Sequence, residues 1–155
     1  MKTMDDLLRD NALFHGLDDE YLELLAGCGR NIHFDAGDMI ARQGDPADYF
    51  YLIRHGHVAV QIAVPGRGAV NLETLGEGDV VGWSWLLPPY RWHFDVEAVE
   101  LSRLVAFDVR CVRDKFDADP RLGFELLRRF AAVIVDRLQA THLRVLDLYG
   151  DGPRA

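Results

Sequence analysis

The spacing of apolar residues changes period twice along this chain, from helical to alternating and back. Up to residue 29 it predicts short helices. Leu7, Leu8, Leu13 and Phe14 lead to Gly16, and Tyr21, Leu22, Leu24 and Leu25 share one helix face behind Asp18, a residue type that caps helices. Gly27 and Gly29 close this segment. From Ile32 to Phe107 the pattern becomes short apolar runs with turn signals about every 8–12 residues, the mark of a β-sandwich or barrel. The runs are Ile32/Phe34, Met39/Ile40, Tyr49 to Ile53, Val58 to Val64, Val70/Leu72/Leu75, Phe94/Val96/Ala98 and Leu101 to Phe107. Pro65-Gly66 stands where a type II turn wants those residues. After Asp108 the helical period returns, as a short helix over Val109 to Asp119 and a long one starting at Asp119-Pro120 and running to about Tyr149. Leu122, Leu126, Phe130, Val133, Arg137, Thr141, Val145 and Leu148 line one side of it. Leu127, Ala131, Ile134 and Leu138 line the adjacent side. That apolar sector is wider than packing on a sheet requires. One stripe is expected to cover the β core and the other to meet a second copy, giving a homodimer through this helix.

Composition leaves this outline intact and narrows the chemistry. The 155 residues suit a single domain: a helical lead-in over 1–29, a β region over 30–108 and C-terminal helices over 109–149. A net charge of −8 argues against broad nucleic-acid binding but leaves room for a small anionic ligand, which needs only a local cluster of donors. Cys28 and Cys111 are far apart and outside any CxxC, so the expectation is reduced thiols, no zinc, Cys28 in the core, and a cytoplasmic setting. No stretch has the apolar length of a signal peptide or a membrane span.

The richest stretch is Gly76 to Phe94. Its three glycines allow tight turning, and Ser84 to Leu87 reads as a short helix ended by Pro88-Pro89. A glycine before a helix start offers amide N–H groups to an anion, and Arg91 supplies a nearby charge. Several readings stay open. Arg91 contacts a phosphate or forms a surface ion pair with Asp95 or Glu97. Ser84 is a cap or a ligand contact. Trp83, Trp85, Tyr90, Trp92, His93 and Phe94 either stack on a ligand or plug the site. His55 and His57 flank Gly56, which favours a turn over a metal site, and haem through His93 or His33 stays a minor alternative. No catalytic grouping stands out, so no enzyme, cofactor or metal is expected.

The run Phe34-x-Ala-Gly37-Asp-x-Ile40-x-x-Gln43-Gly44-Asp45-x-Ala47-Asp48-x-Phe50-Tyr51-Leu-Ile53-x-x-Gly56-x-Val58-x-Val60 resembles the opening of cyclic nucleotide-binding domains. Leu13-Phe14-x-Gly16-Leu17 resembles their helical lead-in, and Leu75-Gly-Glu-Gly78-Asp-Val-Val-Gly82 the entry to their phosphate-binding cassette, here 76–92. Arg137-Leu-Gln-Ala-Thr141-His142 is similar to the dimerising helix of regulators of the catabolite activator type. The resemblance implies an α+β fold, an antiparallel β-roll (a jelly roll) flanked by N-terminal helices and a long C-terminal dimerisation helix. It implies a sensor without the DNA-reading helix-turn-helix, the chain stopping at Gly150-Asp-Gly-Pro-Arg-Ala155, so no direct DNA binding is expected.

The family's site carries over in part. Gly82, Trp83, Ser84 and Trp85 could give backbone amides to a cyclic phosphate, and Thr141 and His142 match positions that reach the base. The family's Glu, which accepts the ribose 2′-OH, is replaced by Trp83. The position of its phosphate-pairing Arg falls on Trp92, with Arg91 one residue earlier. Losing the carboxylate forfeits on the order of 1.5–3 kcal/mol, or about ten- to a hundredfold in affinity. The expected function is a stand-alone sensor that binds a cyclic nucleotide, cAMP first, weakly or with altered specificity, and relays it through the C-terminal helix. The alternative is a degenerate fold with an aromatic-plugged pocket that docks to a separate effector protein.

Overall fold

In the computed structural model, residues 3–150 are described. Positions 151–155, on which the expected end without a DNA reader falls, lie outside them. Two short helices come first, α1 (Met4–Asp10) and α2 (Asp19–Ala26). Thr3 and Asp6 form a reciprocal capping box on α1, whereas Asp18 precedes α2 without a side-chain cap bond. Eight strands follow: β1 (Gly29–Phe34), β2 (Met39–Ala41), β3 (Tyr49–His55), β4 (Val58–Val64), β5 (Gly68–Leu75), β6 (Val80–Val81), β7 (Asp95–Ala98) and β8 (Ser102–Asp108). They form two antiparallel sheets, ordered β1-β8-β3-β6 and β2-β7-β4-β5, the expected roll. Gly66 has φ 80° and the Arg67 amide donates to the Val64 carbonyl at 2.9 Å, so the type II turn stands where Pro65-Gly66 placed it.

Two helices close the roll, α3 (Val109–Ala118) and α4 (Pro120–Gly150). Asp108 caps α3, its carboxylate accepting from the amides of Arg110 and Cys111. Leu122, Leu126 and Phe130 on α4 are fully buried. Phe130 meets Phe50 and Trp85 edge-on, at 5.2 and 5.3 Å between ring centres. Past Arg137 the apolar side chains turn to solvent: Leu143, Leu146 and Leu148 are 63, 64 and 76% exposed, while Arg144 still donates to the Leu72 carbonyl on β5.

One expectation is overturned. Cys28 and Cys111 are joined by a disulfide, with Cα atoms 5.6 Å apart. The 83-residue separation is no obstacle, because Gly29 pairs with Phe107 at the end of the β1/β8 ladder. The residue before β1 and the first turn after β8 therefore meet. Sequence distance was the wrong measure, since an antiparallel ladder brings its own two ends together.

Candidate functional site

The Gly76–Phe94 stretch is shaped by its backbone before its side chains. Gly82 has φ 99°, a conformation that disfavours any residue with a Cβ. Trp83 follows as the cap of a single 3-10 turn, Ser84–Leu86, shorter than the expected Ser84 to Leu87 helix. Three residues align too few peptide dipoles for a helix-end field, so an anion here would meet only individual amides. Residues 90–92 are held by the turn at 44–47. The Gly44 amide donates to the Trp92 carbonyl, the Trp92 amide to the Asp45 carbonyl, and the Ala47 amide to the Tyr90 carbonyl, at 2.8 to 2.9 Å. This extended pairing makes neighbouring side chains alternate, so Arg91 and Trp92 point to opposite sides.

Trp92 is the inward one, 8% exposed, and its ring packs against Tyr51 at 6.4 Å. Its six-membered ring lies 2.6 Å from where a Cβ on Gly82 would be, so indole and glycine form one fitted contact. Arg91 is exposed and its Nη1 donates to the Gly44 carbonyl at 2.8 Å, an arrangement that is neither an ion pair nor turned into the roll. Trp83 is half-buried and stacks on His93 at 4.7 Å. Ser84 is buried and its Oγ is 2.8 Å from His93 Nδ1; it sits inside the turn and does not cap it. Trp85 belongs to the core, stacked on Phe50 at 4.8 Å.

Between the roll and α4 remains a hollow of about 40 Å³, lined by Gly82, Trp83, Ser84 and Trp92 among others. A few water molecules would fill it. Two residues for which no ligand role was expected also line it, Glu73 and Arg137. Arg137 Nη2 donates to the Val80 carbonyl. Burial pulls the guanidinium below its ordinary pKa, while Glu73 and Asp79 push it back up. A guanidinium stays charged in proteins, so Arg137 keeps its positive charge in the hollow's wall, faced there by the Glu73 carboxylate. The available signal was Arg137 itself, the one cation on a helical stripe that is apolar apart from it and Thr141. Thr141 and His142 lie about one turn, ~6 Å, beyond it and are exposed, Thr141 Oγ1 donating to its own helix at Arg137 O. Of the eight candidate residues, Gly82, Trp83, Ser84 and Trp92 converge on the hollow, while Trp85, Arg91, Thr141 and His142 stand elsewhere. His57 Nδ1 pairs with Glu100 at 2.7 Å, and among the described residues no cluster suited to a metal ion occurs.

A β-roll whose glycine-led turn and final helix enclose a small hollow is the architecture of a class of regulatory domain. Residues 31–119 match the cyclic nucleotide-binding domain family, and the chain belongs to that family. It is 26% identical over 145 residues to the CRP-like cAMP-activated global transcriptional regulator of Mycobacterium tuberculosis, covering 94% of this chain and 63% of the regulator. The chain thus spans less than two thirds of that relative's length. Among solved structures, a putative cyclic nucleotide-binding protein from Geobacter metallireducens superposes with a TM-score of 0.80 at 25% identity, over 89% of this chain and 99% of that one. The catabolite activator protein of Thermus thermophilus gives 0.70 at 28% identity, over 89% of this chain and 62% of that one. No helix among the described residues is long and apolar enough to cross a membrane.

Proposed function

We propose that this chain is a regulatory binding module whose nucleotide hollow is closed by its own indoles and whose output surface is α4. The observation that carries this reading is the hollow's volume of about 40 Å³, with Trp92 seated on Gly82. Sites for small organic ligands span roughly 300–1,000 Å³. Trp92 stands where the family resemblance places a phosphate-pairing arginine, and Arg91 is committed to the Gly44 carbonyl on the outer side. Work is then done by docking to another protein or to a second copy. The exposed apolar residues of α4, Leu127, Leu138 and Leu146 among them, support a paired helix.

A second reading keeps a nucleotide, and Arg137 favours it. A charged group facing the hollow is suited to an anionic guest if Trp92 swings out. cAMP would then bind weakly, shift α4 through Arg137, and act as the small anionic ligand of a cytoplasmic sensor.

Titrating cAMP and cGMP to millimolar concentration, read by tryptophan emission and melting temperature, separates the two. The plugged module is expected to give no response, and Trp83→Glu alone no gain, because Trp92 still fills the volume. Trp83→Glu with Trp92→Arg should bind cAMP. A saturable signal from the unmodified chain would overturn the plugged reading and establish the second.

A further inference from the structure

We propose that Cys28 and Cys111 form a thiol-exchange site that takes a low-molecular-weight thiol or its disulfide at Cys111, with α3 carrying the state of the bridge to the tryptophan segment. The bridge lies on an open cleft of about 240 Å³ lined by both cysteines and by Arg30, Tyr49 and Asp108, so a small thiol can reach sulfur from outside. The two cysteines differ. Cys28 is 6% exposed, whereas Cys111 is only half-buried and sits in the first turn of α3. Helix N-terminal amides favour a thiolate at that position. Arg30 adds a positive charge at the cleft wall, and Asp108, which accepts from the Cys111 amide, a negative one. Cys111 is therefore the attacking sulfur and Cys28 the resolving one.

In the reduced chain, the Cys111 thiolate attacks one sulfur of a small disulfide. That S–S bond breaks, a Cys111 mixed disulfide forms, and the leaving thiolate takes a proton from water. The Cys28 thiolate then attacks the Cys111 sulfur, displaces the second small thiol and closes the bridge. The protein's two thiols are oxidised and the small disulfide is reduced; opening the bridge with excess thiol is the same sequence reversed.

The connection onward is short. Arg113, two residues after Cys111, donates to the Trp85 carbonyl, and its guanidinium lies 4.1 Å over the Tyr90 ring. Phe116, on the same helix, packs against Trp85 at 6.0 Å. Among the described residues, Tyr90 is the non-glycine residue with a left-handed backbone, φ 59°, at the bend leading into Arg91 and Trp92. Releasing the first turn of α3 thus loosens the contacts at Trp85 and Tyr90, inside the tryptophan segment.

The test equilibrates the full chain in mixtures of glutathione and glutathione disulfide, quenches with acid and maps adducts by peptide mass. The bridged fraction should follow the mixture's composition, with glutathione on Cys111 about tenfold more than on Cys28. Cys28→Ala should trap the Cys111 adduct, and Cys111→Ser should carry almost none. Should either variant fail to fold, the adduct map of the unmodified chain decides the same point. A bridged fraction that ignores the mixture, or equal labelling of both cysteines, would overturn the site. Tryptophan emission should track the bridged fraction; flat emission across that range would overturn the α3 connection.

Discussion

Gly82 and Trp92 are best regarded as one unit. A Cβ at position 82 would both enter the indole and force a side chain into a φ of 99°, so Gly82→Ala should destabilise the fold by about 2–3 kcal/mol. In a Trp92→Ala background the steric part vanishes and the strain part stays. A double-mutant cycle in urea should therefore give a coupling of at least about 1 kcal/mol, and additive losses would mean that the contact is loose. Tyr51, against which Trp92 packs, reports on the same spot. Burial, with the nearby Tyr49 adding to it, pushes its hydroxyl up to about 12. A phenol whose folded pKa exceeds its ordinary 10.0 stabilises the fold fully below about pH 10 and loses that contribution as pH rises through 12. The loss amounts to about 2–3 kcal/mol, and Tyr51→Phe should flatten the stability profile over that interval. None of this was readable from residue types. Six aromatic residues were visible in the sequence as a cluster, but which ring fills the hollow depends on alternation fixed by the 44–47 turn.

Among the elements, α4 divides into halves with different work. Its N-terminal half carries the buried stripe of Leu122, Leu126 and Phe130: Phe130→Ala removes a ring that meets both Phe50 and Trp85 edge-on and should cost about 3–5 kcal/mol in chemical denaturation. Leu138, 52% exposed, belongs to the other half. Leu138→Glu should leave the unfolding midpoint of the monomer within about 0.5 kcal/mol of the parent while lowering the mass seen by sedimentation. If the sedimentation profile is unchanged, pairing through this face is excluded. The wide apolar sector was legible from periodicity, because a 3.6-residue repeat needs no tertiary information. Arg137 was visible on that stripe too, but its meaning required knowing that β5 and β6 bring Glu73 and Val80 to it. The cassette helix went the other way: Pro88-Pro89 correctly ended it, yet only a three-residue turn formed.

At the scale of the whole molecule, the disulfide closes the roll like a clasp between α2, β1, β8 and α3. Linking residues 83 positions apart restricts the unfolded chain enough to stabilise the fold by about 4–5 kcal/mol in the loop-entropy account. Cys28→Ala with Cys111→Ala should lower the urea midpoint accordingly, and an unchanged midpoint would show that the bridge does not form in solution. What the sequence determined by itself was whatever local spacing encodes: the helix–roll–helix order, the turn at Pro65-Gly66, the breadth of the α4 face and, through its motifs, the family. Tertiary structure alone decided which cysteines meet, which way Arg91 turns, and that Trp92 occupies the hollow. Each of those depends on residues brought together across strands, and a pattern read along one dimension contains periodicity but not register.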